Sequence, residues 1–392
     1  SPARHCTRRW RAKRRSAMGA DVLARLPDAA LGAVLALLDW DSLERALAAS
    51  HAVREAVHGG ALVRLAAFPD TAWNPGRAAR LLAAAPRLRI LQIATCATLP
   101  EMELARCIRA LPLLRHLELH HLELSAGLVL DSLAAARPPL QSLALTGTIL
   151  ASSRALSRLL ATLNVAESLV LGGFSELSSV HLGLIATDCL SLEHLTLRQC
   201  QQLDLVDFDV LRKSRVRNLS ISLCLGPISL ACSMPARSLR HLGLHYVDIP
   251  TAALLRALSF LQHLCTLELT SFCLEDFVLS NHSCIAALFL HNCSVTLGFA
   301  LHRLPALREC ELACCSGLQS VAVTDCPALV ALDLSMQRKL TTLQLSDLPA
   351  MKSLNLWGCD KLYQDASSNL IIQGCPLLQV KWQTRPFTHL IF

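Results

Sequence analysis

Seventeen cysteines and 15 histidines are the residues of this 392-residue chain best suited to chemistry. A thiolate can attack a substrate or bind zinc, and an imidazole can move protons or bind a metal, but each task requires a particular spacing. No CxxC pair occurs, and no Cys/His quartet has zinc-ligand spacing. Cys310 and Cys314 stand four apart, yet Cys310 occupies an apolar position of a repeat and so points into a core. The chain also lacks GxGxxG, GxxxxGK[ST], HExxH and GxSxG. The expectation is a protein that is not an enzyme, with no catalytic residue, no metal and no cofactor.

The cysteines have an architectural pattern instead. Cys96, Cys200, Cys293, Cys315, Cys326 and Cys359 each follow the second apolar residue of an LxL core by three positions. A thiol recurring at that turn fills a small apolar niche and donates weakly to a backbone carbonyl. The repeat is clearest from Leu307 to Leu362, where an eleven-residue unit runs without a gap. Its first three apolar positions are Leu307, Cys310 and Leu312, then Leu318, Val321 and Val323, then Leu329, Leu332 and Leu334. It continues as Leu340, Leu343 and Leu345, then Met351, Leu354 and Leu356. Each LxL core alternates with period two and so forms a short strand with both leucines on one face. Such a unit buries its leucines only by stacking on a neighbour.

Upstream the period is longer. Cores at Leu91/Ile93, Leu117/Leu119, Leu143/Leu145, Leu169/Leu171 and Leu195/Leu197 start every 26 residues, which leaves room for a helix between strands. Helical spacing falls at Met102 to Leu111, Ser153 to Leu163 and Thr251 to Leu261. Past Ile285 the shorter period has no room for strand plus helix, so a second strand or turns must replace the helices. A helix is expected again around Gln364 to Gln373, before a last strand at Leu377, Val380 and Trp382. Phe387 to Phe392 should cover the open edge.

Ahead of the repeats the pattern changes. Residues 1–20 form a basic, disordered leader: residues 1–17 hold seven Arg or Lys and no acid. These account for the whole net charge of +7, since 37 − 7 leaves 30 basic residues against 30 acidic ones. The folded body is thus neutral, without the basic footprint of nucleic-acid binding. The longest apolar run, Ala29 to Leu38, is too short to cross a bilayer. Residues 21–65 carry helical spacing at Leu23, Leu26, Leu31, Val34, Leu35 and Leu38, a turn at Asp39 to Asp41, a second helix and a third over Ala52 to Val57. Residues 66–85 serve as linker or N-terminal cap, and 86–392 as the repeat array with its C-terminal cap.

Two resemblances follow from these residues. Leu26-Pro27-Asp28, Leu31, Val34-Leu35, Leu38-Asp39, Asp41, Leu43, Leu47 and Ser50 to Arg54 resemble an F-box, although Ala29 replaces the usual Glu and Val53 the usual Trp or Phe. The LxxLxLxxCxxL signature at Leu88 to Leu99 and Leu192 to Leu203 resembles cysteine-containing leucine-rich repeats. The implied fold is α/β: a leucine-rich-repeat solenoid with a parallel inner sheet, helices on the convex side of its first half and strands or turns there in its second. A small all-α F-box-like bundle precedes it.

Joined in this order the two resemble substrate receptors of SCF-type ubiquitin ligases. That resemblance implies a Skp-family adaptor and cullin scaffold as partners, a protein substrate, no nucleic acid, no membrane, and a cytoplasmic or nuclear location. Leu26, Pro27, Leu31, Val34, Leu35, Leu38, Leu43 and Leu47 would supply the bundle core and the adaptor contact. Substrate would meet the residues flanking the core leucines on the concave face: His116, Glu118, His120, His194, Arg198, His241, His245, Glu268, Phe289, His291 and Trp357. Phe289 and Trp357 are candidate anchors, because large aromatics dominate interface energy. A repeat scaffold or enzyme regulator without any ligase connection is the alternative.

Overall fold

The computed structural model describes residues 30–31, 34–35, 38, 40–59, 64–67, 82–93, 101–124, 127–149, 153–163, 166–224, 226–235, 237–364 and 369–381. The chain divides into two compact units, one formed by residues 1–176 and 188–192, the other by 177–187 and 193–392.

In the first unit, helices α1 (Trp40–Ala49) and α2 (His51–Gly59) are separated by one residue, Ser50. Its buried hydroxyl accepts the Val53 N–H at 3.3 Å, so one orphan donor of α2 is satisfied at once and a new helix can start without a loop. Leu43 and Leu47 of α1 and Val53 and Val57 of α2 are buried, along with Leu31 and Leu35.

Strands β1 (Arg64–Ala67), β2 (Ile90–Ile93), β3 (His116–Leu124), β4 (Ser142–Ile149) and β5 (Ser168–Phe174) then pair in parallel. Leu65, Leu91, Leu117, Leu143 and Leu169 fall in register. The spacing of 26 is therefore the length of one coil. Strand β1 corrects the expectation for this stretch: Leu65 lies one full period before Leu91, but Ala67 stands where a second large apolar residue would have marked the core.

Helices α3 (Glu101–Arg109), α4 (Leu128–Ala136) and α5 (Ser153–Leu160) pack in that order. α3 turns Leu104, Ala105, Cys107 and Ile108 inward. The Glu101 carboxylate accepts the Val129 N–H at 3.1 Å, and Arg158 pairs with Asp131 at 3.0 Å. Helix α4 fills the room that the 26-residue period leaves between strands, although no helical spacing marked it; apolar along most of its surface, it lacks a one-sided stripe.

The second unit holds α6 (Ser179–Asp188) and a parallel sheet of β6 (His194–Arg198), β8 (Asn218–Ser222), β10 (His241–His245), β11 (Thr266–Thr270), β13 (Ala287–His291), β15 (Glu309–Ala313), β17 (Ala331–Asp333), β19 (Ser353–Asn355) and β21 (Gln379–Lys381). Two short strands, β7 (Leu205–Asp207) and β9 (Ser229–Ala231), pair separately, and the one-turn helix α7 (Phe208–Leu211) follows β7. Helix α8 (Thr251–Phe260) is the last long helix among the described residues.

From β12 (Cys273–Ser280) onward, β14 (Ser294–His302), β16 (Ser320–Thr324), β18 (Thr342–Ser346) and β20 (Asn369–Gln373) build a second parallel sheet, as the shortened period requires. Phe277 and Phe299 stack within it at 5.4 Å. The expected helix at 364–373 is corrected: α9 is described over Asp360–Gln364, and Leu370 and Ile372 align as a strand with Leu343 and Leu345. Phe387 to Phe392 and Trp382 lie outside the described residues.

The two units are thus stacks of leucine-rich repeats. Cys200, Cys224, Cys293, Cys315, Cys326 and Cys359 are all buried at the turn. Cys293 and Cys315 donate to Leu269 O and Leu290 O of the preceding coil, each at 3.6 Å. Cys224 belongs to the same series by the same spacing from Ile221.

Candidate protein-interaction surface

With core leucines inward, the alternate residues of each strand project to solvent and align in rows. In the first unit, Gln92 and Glu118 are register partners, and the Gln92 amide donates to the Glu118 carboxylate at 2.8 Å. His120 Nδ1 lies 2.8 Å from Thr146 Oγ1, and its Nε2 lies 3.9 Å from Glu118. Gln92, Glu118, His120 and Thr146 thus form one half-buried polar cluster, with half-buried His116 two residues before Glu118 on β3.

The second unit carries three rows. His194, Asn218, His241, Thr266, Ala287 and Glu309 share the first. Thr196, Ser220, Gly243, Glu268, Phe289, Glu311, Asp333 and Asn355 form the middle row. Arg198, Ser222, His245, Thr270, His291 and Ala313 form the third. Side chains bridge neighbouring coils at three places in these rows. Asn218 Nδ2 meets His194 Nδ1 at 2.8 Å, His245 Nδ1 meets Thr270 Oγ1 at 2.9 Å, and Asn355 donates to Asp333 at 2.8 Å. These bonds fix side chains before any partner arrives, which lowers the ordering cost of binding.

Two details set the relief of the face. The Phe289 and His291 rings stack nearly parallel, 6.3 Å between centroids. Gly243 makes room for His245, whose Nε2 would lie 2.9 Å from a Cβ there.

Trp357 is not on a strand. β19 ends at Asn355, whose Oδ1 accepts the Trp357 N–H at 3.2 Å, and Trp357 sits 44% exposed in the following turn. Its carbonyl accepts the Met336 N–H at 2.6 Å. The spacing matched a strand position, but the Asn355 side chain turns the backbone.

The strand-parity argument applied to Cys310/Leu312 would have added Glu309 and Glu311 to the face, and both lie in these rows. Leu223 and Tyr246 were also missed. They follow β8 and β10, and their N–H groups donate to the carbonyls of His245 and Thr270 in the next coils, at 2.9 and 2.8 Å. Both side chains are exposed, 44% and 54%. Their backbones have φ of 55° and 53°, a conformation in which bulky residues are uncommon.

No protein-family model matches the chain, and no curated protein matches it. Similar solved structures include the leucine-rich-repeat domain of the type III effector XopL, at 19% identity over 64% of this chain and 83% of that one, TM-score 0.39. The Rad7–Elc1 complex of yeast matches at 14% identity over 97% and 95%, TM-score 0.37. A TLR13–ssRNA13 complex matches at 15% over 75% and 57%, TM-score 0.33.

The residues expected to meet an adaptor separate into three groups. Leu31, Leu35, Leu43 and Leu47 are buried within this chain; Val34 and Leu38 are half-exposed; Leu26 and Pro27 lie outside the described residues. Among the described residues no group of three or more His, Cys, Asp or Glu side chains is placed to hold a metal ion, and no helix is long and apolar enough to cross a membrane. Burial pushes the Cys359 thiol up to about 11 and the fully buried Cys310 well above its ordinary value, so both are protonated at neutral pH.

Proposed function

We propose that the chain is the non-catalytic recognition subunit of an SCF-type ubiquitin ligase. Its N-terminal helices dock a Skp-family adaptor, which joins it to a cullin scaffold, and the strand rows hold a protein substrate. The receptor makes and breaks no bonds; it raises the effective concentration of substrate beside the conjugating enzyme. The observation that carries the binding half is the preorganised face: in-register strands present half-exposed polar residues, with His194–Asn218, His245–Thr270 and Asp333–Asn355 joined by cross-coil hydrogen bonds and Phe289 stacked on His291. The adaptor half rests on the F-box-like residues Leu26 to Arg54.

Replacing Leu26→Asp together with Pro27→Ala should abolish co-purification of the adaptor while the circular dichroism of the repeats is unchanged. Adaptor retained by that variant overturns the docking role. A second reading, a repeat scaffold whose N-terminal helices cap the first coil, is favoured by the burial of Leu31, Leu35, Leu43, Leu47, Val53 and Val57 within the chain itself. Under that reading the unaltered chain never captures the adaptor.

A further inference from the structure

The middle row of the second unit has a one-sided charge. Glu268, Phe289, Glu311 and Asp333 are successive register partners on β11, β13, β15 and β17, and Glu309 stands beside them in the first row. From β10 to β19 the strand positions facing solvent include no Lys or Arg; Arg240, Arg308 and Lys352 stand one residue ahead of their strands. The carboxylates are not equally engaged. Asp333 accepts from Asn355 and from the Ser335 N–H, both at 2.8 Å, and Glu311 lies 3.8 Å from His291 Nδ1. Among the described residues, the Glu268 and Glu309 carboxylates have no hydrogen-bond or ion-pair partner.

Neighbouring strands are ~4.8 Å apart, so Glu268 and Glu311 flank the Phe289 ring at roughly 10 Å from each other. A carboxylate on either side of an aromatic face is the arrangement that holds a guanidinium or ammonium group: the ring takes the cation or its alkyl stem, and the carboxylates take its N–H donors. Two and three strands away, the turns after β10 and β8 expose an apolar pair, Tyr246 and Leu223. Tyr246 lies two strands across from Phe289 and three register positions further along, about 14 Å away, or roughly four residues of extended chain.

We infer that this face takes an extended basic segment of a protein partner, with an apolar side chain on Leu223 and Tyr246 and an arginine or lysine over Phe289 between Glu268 and Glu311. The inference rests on the protein-binding reading of the face and names the class of segment it holds. Charge complementarity selects the occupant. Beyond residues 1–17 the chain carries 30 basic and 30 acidic residues, so no general field of the body draws a basic ligand and the attraction comes from this local row.

The test uses the full chain and two fluorescein-labelled octapeptides. Each has one leucine followed, from the third position on, by alternating glycines and charged residues, arginine in one and glutamate in the other. Fluorescence anisotropy should show the arginine peptide binding, weakening as salt rises, and the glutamate peptide not binding. E268Q/E311Q and F289A, both substitutions of solvent-facing residues, should each weaken the arginine peptide by on the order of tenfold with an unchanged thermal melt. No binding of the arginine peptide, equal binding of both peptides, or full binding by E268Q/E311Q each overturns the inference. Adaptor capture measured on the same preparations separates the two claims. Capture without arginine-peptide binding removes only this inference, and arginine-peptide binding without capture removes only the ligase connection.

Discussion

The Cys359 thiol donates to the Leu334 carbonyl of the preceding coil at 3.0 Å. One coil earlier the equivalent position is Gln337, whose side-chain amide donates to Leu312 O and to Ser335 O at 3.3 Å while its own Oε1 is buried without a partner. The turn therefore needs a buried donor, whichever residue supplies it. Cys359→Ala, which leaves the Leu334 carbonyl unpaired, should lower the unfolding free energy by about 1–3 kcal/mol. Cys359→Ser, which keeps a donor, should cost less. Urea unfolding with unchanged m-values checks both; a serine variant less stable than the alanine variant would mean that the thiol acts only as apolar filling.

His282 is buried, with Nε2 donating to Leu261 O at 3.0 Å and Nδ1 accepting the Ile285 N–H at 3.3 Å. A protonated ring would lose the second bond and carry a charge into the core, so burial holds its pKa below the ordinary imidazole value. The unfolded chain takes up the proton first as pH falls. Stability from this group is therefore complete above about pH 6.5 and declines below it toward the depressed folded value. Unfolding free energies at neutral and mildly acidic pH should fall further for the unaltered protein than for His282→Gln; equal slopes would show that other groups govern the acid limb.

Gly173 has φ of +76°, and a Cβ built there would lie 1.4 Å from the Gly147 carbonyl oxygen of the neighbouring strand. The contact is backbone against backbone, at the point where the β4–β5 register shifts between Thr146 and Ile149. Gly173→Ala should destabilise the first unit by more than about 3 kcal/mol, visible as loss of its cooperative thermal transition. A melt within a degree or two of the unaltered protein would mean that the two strands separate freely.

Leu35 and Val34 are adjacent in sequence but differ in exposure, the first buried and the second half-exposed. Leu35→Ala should cost about 2–5 kcal/mol by opening a cavity among the N-terminal helices. Val34→Asp should leave stability nearly unchanged and, on the proposed function, weaken adaptor capture. Capture lost in Leu35→Ala and kept in Val34→Asp would place the contact elsewhere.

The repeats were legible because burial repeats with them. A 26-residue or 22-residue return of LxL forces the parallel register found at Leu91, Leu117 and Leu143 and at Phe299, Val321 and Leu343. What failed to show was local. Ala67 broke the signal of β1, and Leu370 and Ile372 were assigned to a helix because α9 lengthens that coil. Trp357 left its strand because Asn355 caps it. Parity alone identified the solvent-facing residues, but not the bridges that fix them, because His120–Thr146 and His245–Thr270 join residues about one coil apart. Leu223 and Tyr246 sit in turns, where periodicity says nothing about exposure.

The most direct test of the proposed receptor is a mass measurement by light scattering on the full chain mixed with a purified Skp-family adaptor. The expected result is a single species with the mass of one chain plus one adaptor, which Leu26→Asp with Pro27→Ala reverts to two separate components. Two unassociated components with the unaltered, folded chain would contradict it.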